Sequence, residues 1–296
     1  MIETEFERLS LPVDGSFTIS RGTTTEVETV VVRVSDGDRV GVGAAAPSAH
    51  YGETADTVTA VLPDLLAAVE AVDDPLALDR IERRLQETVR HNPAARAAVS
   101  VACHDLAARR LGVPLYRQLG LDAARAPPTS YTVAIDDPDA MGEAAAAAVA
   151  DGYGVLKVKL GTDRDRERVD AVRAAAPEAT VRVDANEGWS PAEAVAKSAW
   201  LADYDVEFVE QPVPAEDPEG LRYVHDRSAL PVAADESCVT LPDVPAVADR
   251  VDVVNLKLMK CGGVREAVRM VHAARAHGLA VMLGCMVEST ASIAAA

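Results

Sequence analysis

The chain of 296 residues is 49% hydrophobic, enough for one large domain or two smaller ones around a sizeable core. Its 47 acidic residues outweigh 29 basic ones, and a formal charge of −18 argues against nucleic acid or anionic membranes as partners. Four cysteines without CxxC spacing argue against a disulfide framework. With no leader-like N-terminus and no apolar run long enough for a bilayer, the sequence predicts a cytoplasmic protein. The acid excess also predicts a halophilic setting, where salt screens self-repulsion. A GC-rich genome would explain the arginines but less readily the acids.

In chain order, "TTEVETVVVRV" is rich in β-branched residues, and "SDGDRVGVG" supplies a turn and a second short strand. Helical stretches follow: "TADTVTAVLPDLLAAVEA", "PLALDRIERRL" and "PAARAAVSVACHDLAARRLG", the last with Ala98, Val101, Ala102 and Leu106 at helical spacing. "APP" at 126–128 marks a linker, which divides the chain into an α+β unit, 1–128, and a second unit, 129–296. In the second unit seven short strands alternate with helices: "TSYTVAI", "GVLKVKL", "ATVRVDA", "VEFVEQP", "PVAADES", "VDVVNLK" and "LAVMLGC". That alternation predicts βαβ units on a parallel sheet.

Polar residues decide between an open doubly wound sheet and a barrel. Lys159, Asp184, Glu210, Asp235 and Lys257 each end a predicted strand, 25, 26, 25 and 22 residues apart. Strand ends converge on one face of a (β/α) barrel, where active sites sit. Alternation within the strands places Lys157, Lys159, Arg182, Asp184, Asn255 and Lys257 inside, and Val158, Val181, Val183, Val254 and Leu256 against the helices. Three converging carboxylates need a cation, and an all-oxygen set suits Mg²⁺ before Mn²⁺ or Ca²⁺. The alternative is an internal ion network with Arg182 and the lysines. Lysine is rare here, five residues against 24 arginines. Unlike arginine, a buried lysine beside other cations can lose its proton and act as a base. Lys159 beside Lys157 fits that role, and Lys257 across the barrel could serve the opposite face of a substrate carbon.

These motifs resemble the muconate-lactonizing branch of the enolase superfamily, and within it the dipeptide epimerases of the L-Ala-D/L-Glu type. The likeness runs through "TISRGT", "KVKLG", "VRVDANEGW", "VEQPV", "ADES", "NLKLMKCGG" and "GCMVES". It implies a modified TIM barrel under an N-terminal α+β capping domain, with loops Ser20–Thr23 and Ser48–Thr54 closing over the barrel mouth. It also implies one Mg²⁺ on Asp184, Glu210 and Asp235, with Lys159 and Lys257 as the two bases. Lys157 would support Lys159, and Asn186, Gln211 and Glu236 would line the site from behind. The implied reaction is epimerisation at the α-carbon of a dipeptide's C-terminal residue through an enediolate. A muconate-type cycloisomerase or o-succinylbenzoate synthase is the alternative, and an inactive remnant a further one.

Further positions are candidates of lesser weight. Arg21 is either a capping-loop ligand for a substrate carboxylate or a surface arginine. Thr132 or Tyr131 lines the pocket or packs the core. Cys285, Met286 and Glu288 follow the seventh strand and are expected to face the site, whereas Cys238 and Cys261 read as packing residues. Lys260 reads as supporting, Lys197 as an exposed helix lysine without a role, and the six histidines receive none. Gly262–Gly263 is an anion-binding turn or simply a tight one. The sequence stops at "ESTASIAAA", where the resemblance implies an eighth strand bearing a DxD motif that holds the substrate's amino group. A barrel lacking that strand has two unpaired edges. Either a second copy fills the gap, as a homo-oligomer, or the chain is a fragment; the fragment is expected.

Overall fold

The computed structural model describes residues 1–296. The first unit is an antiparallel sheet of β1 (Ile2–Ile19), β2 (Gly22–Asp36) and β3 (Arg39–Ala45), in that order. Val30, Val32 and Val34 of β2 are completely buried at period two under the helices, with Val31 between them slightly exposed. β1 carries no such signal. Its Glu3, Glu5 and Glu7 alternate on an exposed edge, a charge pattern that keeps an edge strand from pairing with other chains.

Helices α1 (Ala55–Glu70), α2 (Leu78–Thr88) and α3 (Pro93–Leu111) cover the sheet. Helix α3 lies directly on β3. A Cβ on Gly41 or Gly43 would sit 2.1 Å from the carbonyls of Ala102 or Ala98, so only glycine lets the helix this close. One-turn α4 (Leu115–Gln118) leads to the second unit.

There, seven parallel strands follow chain order: β4 (Tyr131–Val133), β5 (Val155–Lys159), β6 (Thr180–Asp184), β7 (Val206–Glu210), β8 (Val232–Ala234), β9 (Val253–Leu256) and β10 (Ala280–Leu283). Between them run α5 (Pro138–Ala150), α6 (Asp165–Ala175), α7 (Pro191–Ala202), α8 (Pro218–His225), α9 (Asp243–Val247), α10 (Leu258–Cys261) and α11 (Val264–Ala276), and α12 (Thr290–Ile293) comes last. The seven strands anticipated in the sequence are all present. They curl into a half-barrel of TIM type, with β4 and β10 as its two edges. Leu156, Val158, Val181, Val183, Val254 and Leu256 are buried, as the alternation requires of side chains under the helices. No helix is long and apolar enough to cross a membrane.

Candidate active site

Register sets the site. Lys159 pairs with Asp184, and Asp184 with Glu210, so the C-terminal residues of β5, β6 and β7 stand side by side. Asp235 directly follows β8, and Lys257 directly follows β9. One oxygen each from Asp184, Glu210 and Asp235 lies within 4.8 Å of the others, and all three residues are fully buried.

Lysines enclose this trio. Lys159 Nζ donates to Asp184 Oδ2 at 2.6 Å and to Asn186 Oδ1 at 3.0 Å. Lys157 Nζ lies 2.9 Å from the same Asp184 oxygen and donates to Glu210 Oε1 at 2.8 Å. On the far side, Lys257 Nζ donates to Asp235 Oδ2 at 2.7 Å. Three strands separate β5 from β9, so Lys159 and Lys257 face each other across the acids.

Two phases of one strand cannot both point inward, so a strand running on past Lys257 would turn Lys260 away from the site. The chain avoids that conflict by leaving β9 for the single helical turn α10, which brings residues three apart onto one side. Lys260, 1% exposed, donates to Asp235 Oδ1 (2.6 Å) and to the carbonyls of Asp235 (2.5 Å), Cys238 (2.9 Å) and Asn255 (2.8 Å).

Burial and charge divide the protonation states. Burial would lower Lys157, but Asp184, Glu210 and Asp235 raise it well above the usual lysine range. Burial together with Lys157 and Lys257 lowers Lys159, despite Asp184. Burial lowers Lys257 too, but Asp235 leaves it raised. Against burial, Lys157 and Lys159 hold Asp184 low, and Lys257 and Lys260 hold Asp235 low. Glu210 is raised by burial and by Asp184, and Glu236 is pushed up to about 7 by burial, Asp235 and Asp184.

The trio fits a hard divalent cation. It offers only oxygen, and Glu210 Oε2, though 2.8 Å from Lys157 Nζ, receives no well-directed hydrogen bond. Asp184, Glu210 and Asp235 are the residues that would hold Mg²⁺.

The remaining candidates separate by place. Asn186 bonds Lys159, and Gln211 braces the Asp235 turn by accepting from Asp235 N and Ser237 N, each at 3.0 Å. Glu236 accepts from Arg21 Nη2 at 2.8 Å. Arg21 is no loose surface arginine: it also reaches Glu187 Oε2 at 3.0 Å and the Asn186 carbonyl at 3.2 Å. His50 Nε2 lies 3.5 Å from the same Glu187 oxygen. His50, Glu187 and Glu236 thus surround a guanidinium that already supplies their cation.

Thr132 stands level with Lys157 on the edge strand β4, whereas Tyr131 turns outward against Tyr153. Cys285 is exposed, near enough to Lys257, Lys157 and Lys159 for their charges to reach its thiol. Glu288 folds back to accept from Met286 N at 2.8 Å and feels the charge of Lys257. Cys238 and Cys261 are buried packing residues.

Sequence reasoning missed two partners. Asn255, placed inside by alternation but given no role, donates to Glu210 Oε1 at 2.7 Å. Lys197 is half-buried and paired with Asp165, not exposed.

A capped half-barrel holding three buried acids between opposed lysines defines a site for metal-assisted proton transfer beside a carboxylate. Residues 2–120 match the family described as mandelate racemase / muconate lactonizing enzyme, N-terminal domain, and residues 140–296 match the enolase C-terminal domain-like family. The chain belongs to the enolase superfamily, in its mandelate racemase / muconate lactonizing enzyme branch. It is 38% identical to the L-Ala-D/L-Glu epimerase of Bacteroides thetaiotaomicron over 280 residues, covering 94% of this chain and 71% of that one. It is 37% identical to the L-Ala-D/L-Glu epimerase of Escherichia coli, covering 96% and 86%. Among solved structures it is similar to the Enterococcus faecalis dipeptide epimerase complexed with Mg and L-Leu-L-Tyr, with a TM-score of 0.92 at 34% identity, covering 99% and 84%.

Proposed function

We propose that this protein is a Mg²⁺-dependent dipeptide epimerase, an isomerase that moves a proton at the α-carbon of the C-terminal residue. The observation that carries the reading is the pair Lys159 and Lys257, set on opposite sides of one acidic trio. Relatives named dipeptide epimerases, some solved with Mg and a dipeptide, support it over a cycloisomerase or synthase. The intact trio and lysines support activity over decay.

Asp184, Glu210 and Asp235 would hold Mg²⁺, which would supply positive charge beside a substrate carboxylate and so favour loss of the α-proton. Lys159, lowered by its surroundings, takes the proton on one face; Lys257 returns one on the other. Lys157, raised and held charged between Asp184 and Glu210, keeps positive potential beside Lys159 without exchanging protons itself. Arg21, fixed over the barrel mouth by Glu187 and Glu236, closes the capping loop on the substrate. The acid excess and reduced-thiol composition support a cytoplasmic location in a salt-rich cell.

The test is NMR in D₂O with Mg²⁺ and a small library of Ala-containing L,L-dipeptides. Deuterium at the C-terminal residue's α-carbon, with appearance of the other epimer, is the expected result. Silence across the library at saturating Mg²⁺ would remove the epimerase reading.

A further inference from the structure

Four of the five lysines reach the acidic site. The fifth, Lys197 on α7, reaches none of the metal-ligand candidates, yet it is not a solvated charge. Its Nζ donates to Asp165 Oδ2 at 2.6 Å and lies 4.8 Å from the centre of the Trp189 ring. Asp165, 2% exposed, accepts four hydrogen bonds. Oδ1 takes Gly161 N (3.1 Å) and Thr162 N (3.0 Å); Oδ2 takes Lys197 and Trp189 Nε1 (2.9 Å). Gly161 and Thr162 belong to the turn that follows Lys159, and Trp189 closes the turn that follows Asp184. One carboxylate therefore fastens both turns.

The second turn needs fastening. Asn186 (φ 42°) and Glu187 (φ 69°) are consecutive left-handed residues, a conformation asparagine tolerates but glutamate keeps only where the surroundings impose it. Glu187 N donates to Gln211 O at 2.8 Å and Trp189 N to Pro212 O at 3.0 Å, while Asp165 secures the Trp189 side chain. The two turns also pack backbone on backbone. A Cβ on Gly188 would lie 2.7 Å from Gly161 Cα, and one on Gly161 would lie 2.5 Å from Ala185 O. A shift in either turn passes to the other, and so to Asn186 Oδ1, 3.0 Å from Lys159 Nζ. Lys257 bonds only Asp235 Oδ2, on the opposite side.

We infer that Lys197, Asp165 and Trp189 are positioning residues that hold the strained 186–187 turn, and through Asn186 the Lys159 amine, so that they act on proton transfer at one face only. This rests on the reading of Lys159 and Lys257 as opposed bases.

The test measures, on the Mg²⁺-loaded enzyme, α-proton exchange without inversion for each epimer of one dipeptide. Lys159→Ala identifies the epimer that reports on Lys159. Lys197→Met and Trp189→Phe are expected to slow that epimer about tenfold through kcat, with little change in KM, and the other less than twofold. Lys197→Arg, which keeps the charge over the ring, is expected to stay near wild type. Should Lys197→Met fail to fold, Trp189→Phe carries the test, since it deletes the N–H donor and keeps an aromatic face under Lys197. Equal slowing of both epimers, or none, would overturn the inference while leaving the bases intact. Exchange of both epimers surviving in Lys159→Ala would instead overturn the base assignment, and the inference with it.

Discussion

At the scale of single residues, Asp184 and Lys260 show how alike buried ion pairs can be and how different their purposes. Asp184 shares one oxygen between two lysines, an arrangement that a divalent cation can replace. Asp184→Asn keeps the shape and removes a charge, so added Mg²⁺ is expected to lose most of its thermal stabilisation of the protein. An unchanged Mg²⁺-dependent shift in Tm would take Asp184 out of the ligand set. Lys260 instead holds three backbone carbonyls as well as Asp235, and a cation in the cleft does not replace those. Lys260→Met takes a donor from each of these carbonyls and leaves Asp235 with Lys257 alone at its carboxylate, and is expected to destabilise the fold by about 3–5 kcal/mol. Urea unfolding with an unchanged m-value would read that loss directly. A midpoint within error of wild type would mean that water takes over the four bonds.

At the scale of elements, helix α3 starts with a deficit. Pro93 has no N–H, Asn92 makes no side-chain cap, and the first free donor, Ala94 N, is buried. Glu53, from the loop that overhangs the barrel mouth, accepts that N–H at 3.0 Å and so caps the helix from a distance. Burial pushes the Glu53 carboxyl up to about 7, against the pull of Ala94 N–H and Arg96, from an ordinary 4.5. Between those two values the folded chain holds a proton that the unfolded chain has released. Stability from this group therefore falls as pH rises from about 4.5 to about 7, and the loss is complete above that. Glu53→Gln keeps the acceptor and cannot ionise. Relative to wild type it is expected to gain on the order of 2 kcal/mol at pH 8 and nothing at pH 4. Equal differences at the two pH values would show that Glu53 titrates as if in water.

At the scale of the whole molecule, what the sequence made legible was whatever obeyed a period. Alternation placed Lys157, Lys159, Asp184 and Asn255 inside, and the repeat of about 25 residues marked where βα units end. What stayed hidden lacks a period. β1 is an edge strand whose charges mask its pleat, Lys260 depends on a helical turn begun at Leu258, and Lys197 finds Asp165 from a different βα unit. Arg21 joins Glu187 and Glu236, 166 and 215 positions away, a closure set by how the cap sits on the barrel.

Net charge is also a property of the whole, and it carries the last prediction. At −18 the folded chain repels itself, and its surface pairs are weak counterweights: Arg8 with Glu28 and Asp56 is largely solvated, and such pairs contribute about 0–1 kcal/mol each. Salt weakens both effects, but it removes the long-range repulsion summed over the surface more completely than the attraction between charges in contact. At 1 M salt the screening length shrinks to about 3 Å, within which only touching charges still interact. Tm is therefore expected to rise by several degrees between about 0.1 M and 2 M KCl. A sucrose series of matched osmolality separates screening from solute exclusion, because sucrose leaves charge repulsion in place. A Tm that rises equally in sucrose would assign the gain to exclusion. A Tm that falls in KCl would mean that ion pairs, not repulsion, dominate the surface, and would remove the argument for a salt-rich cell.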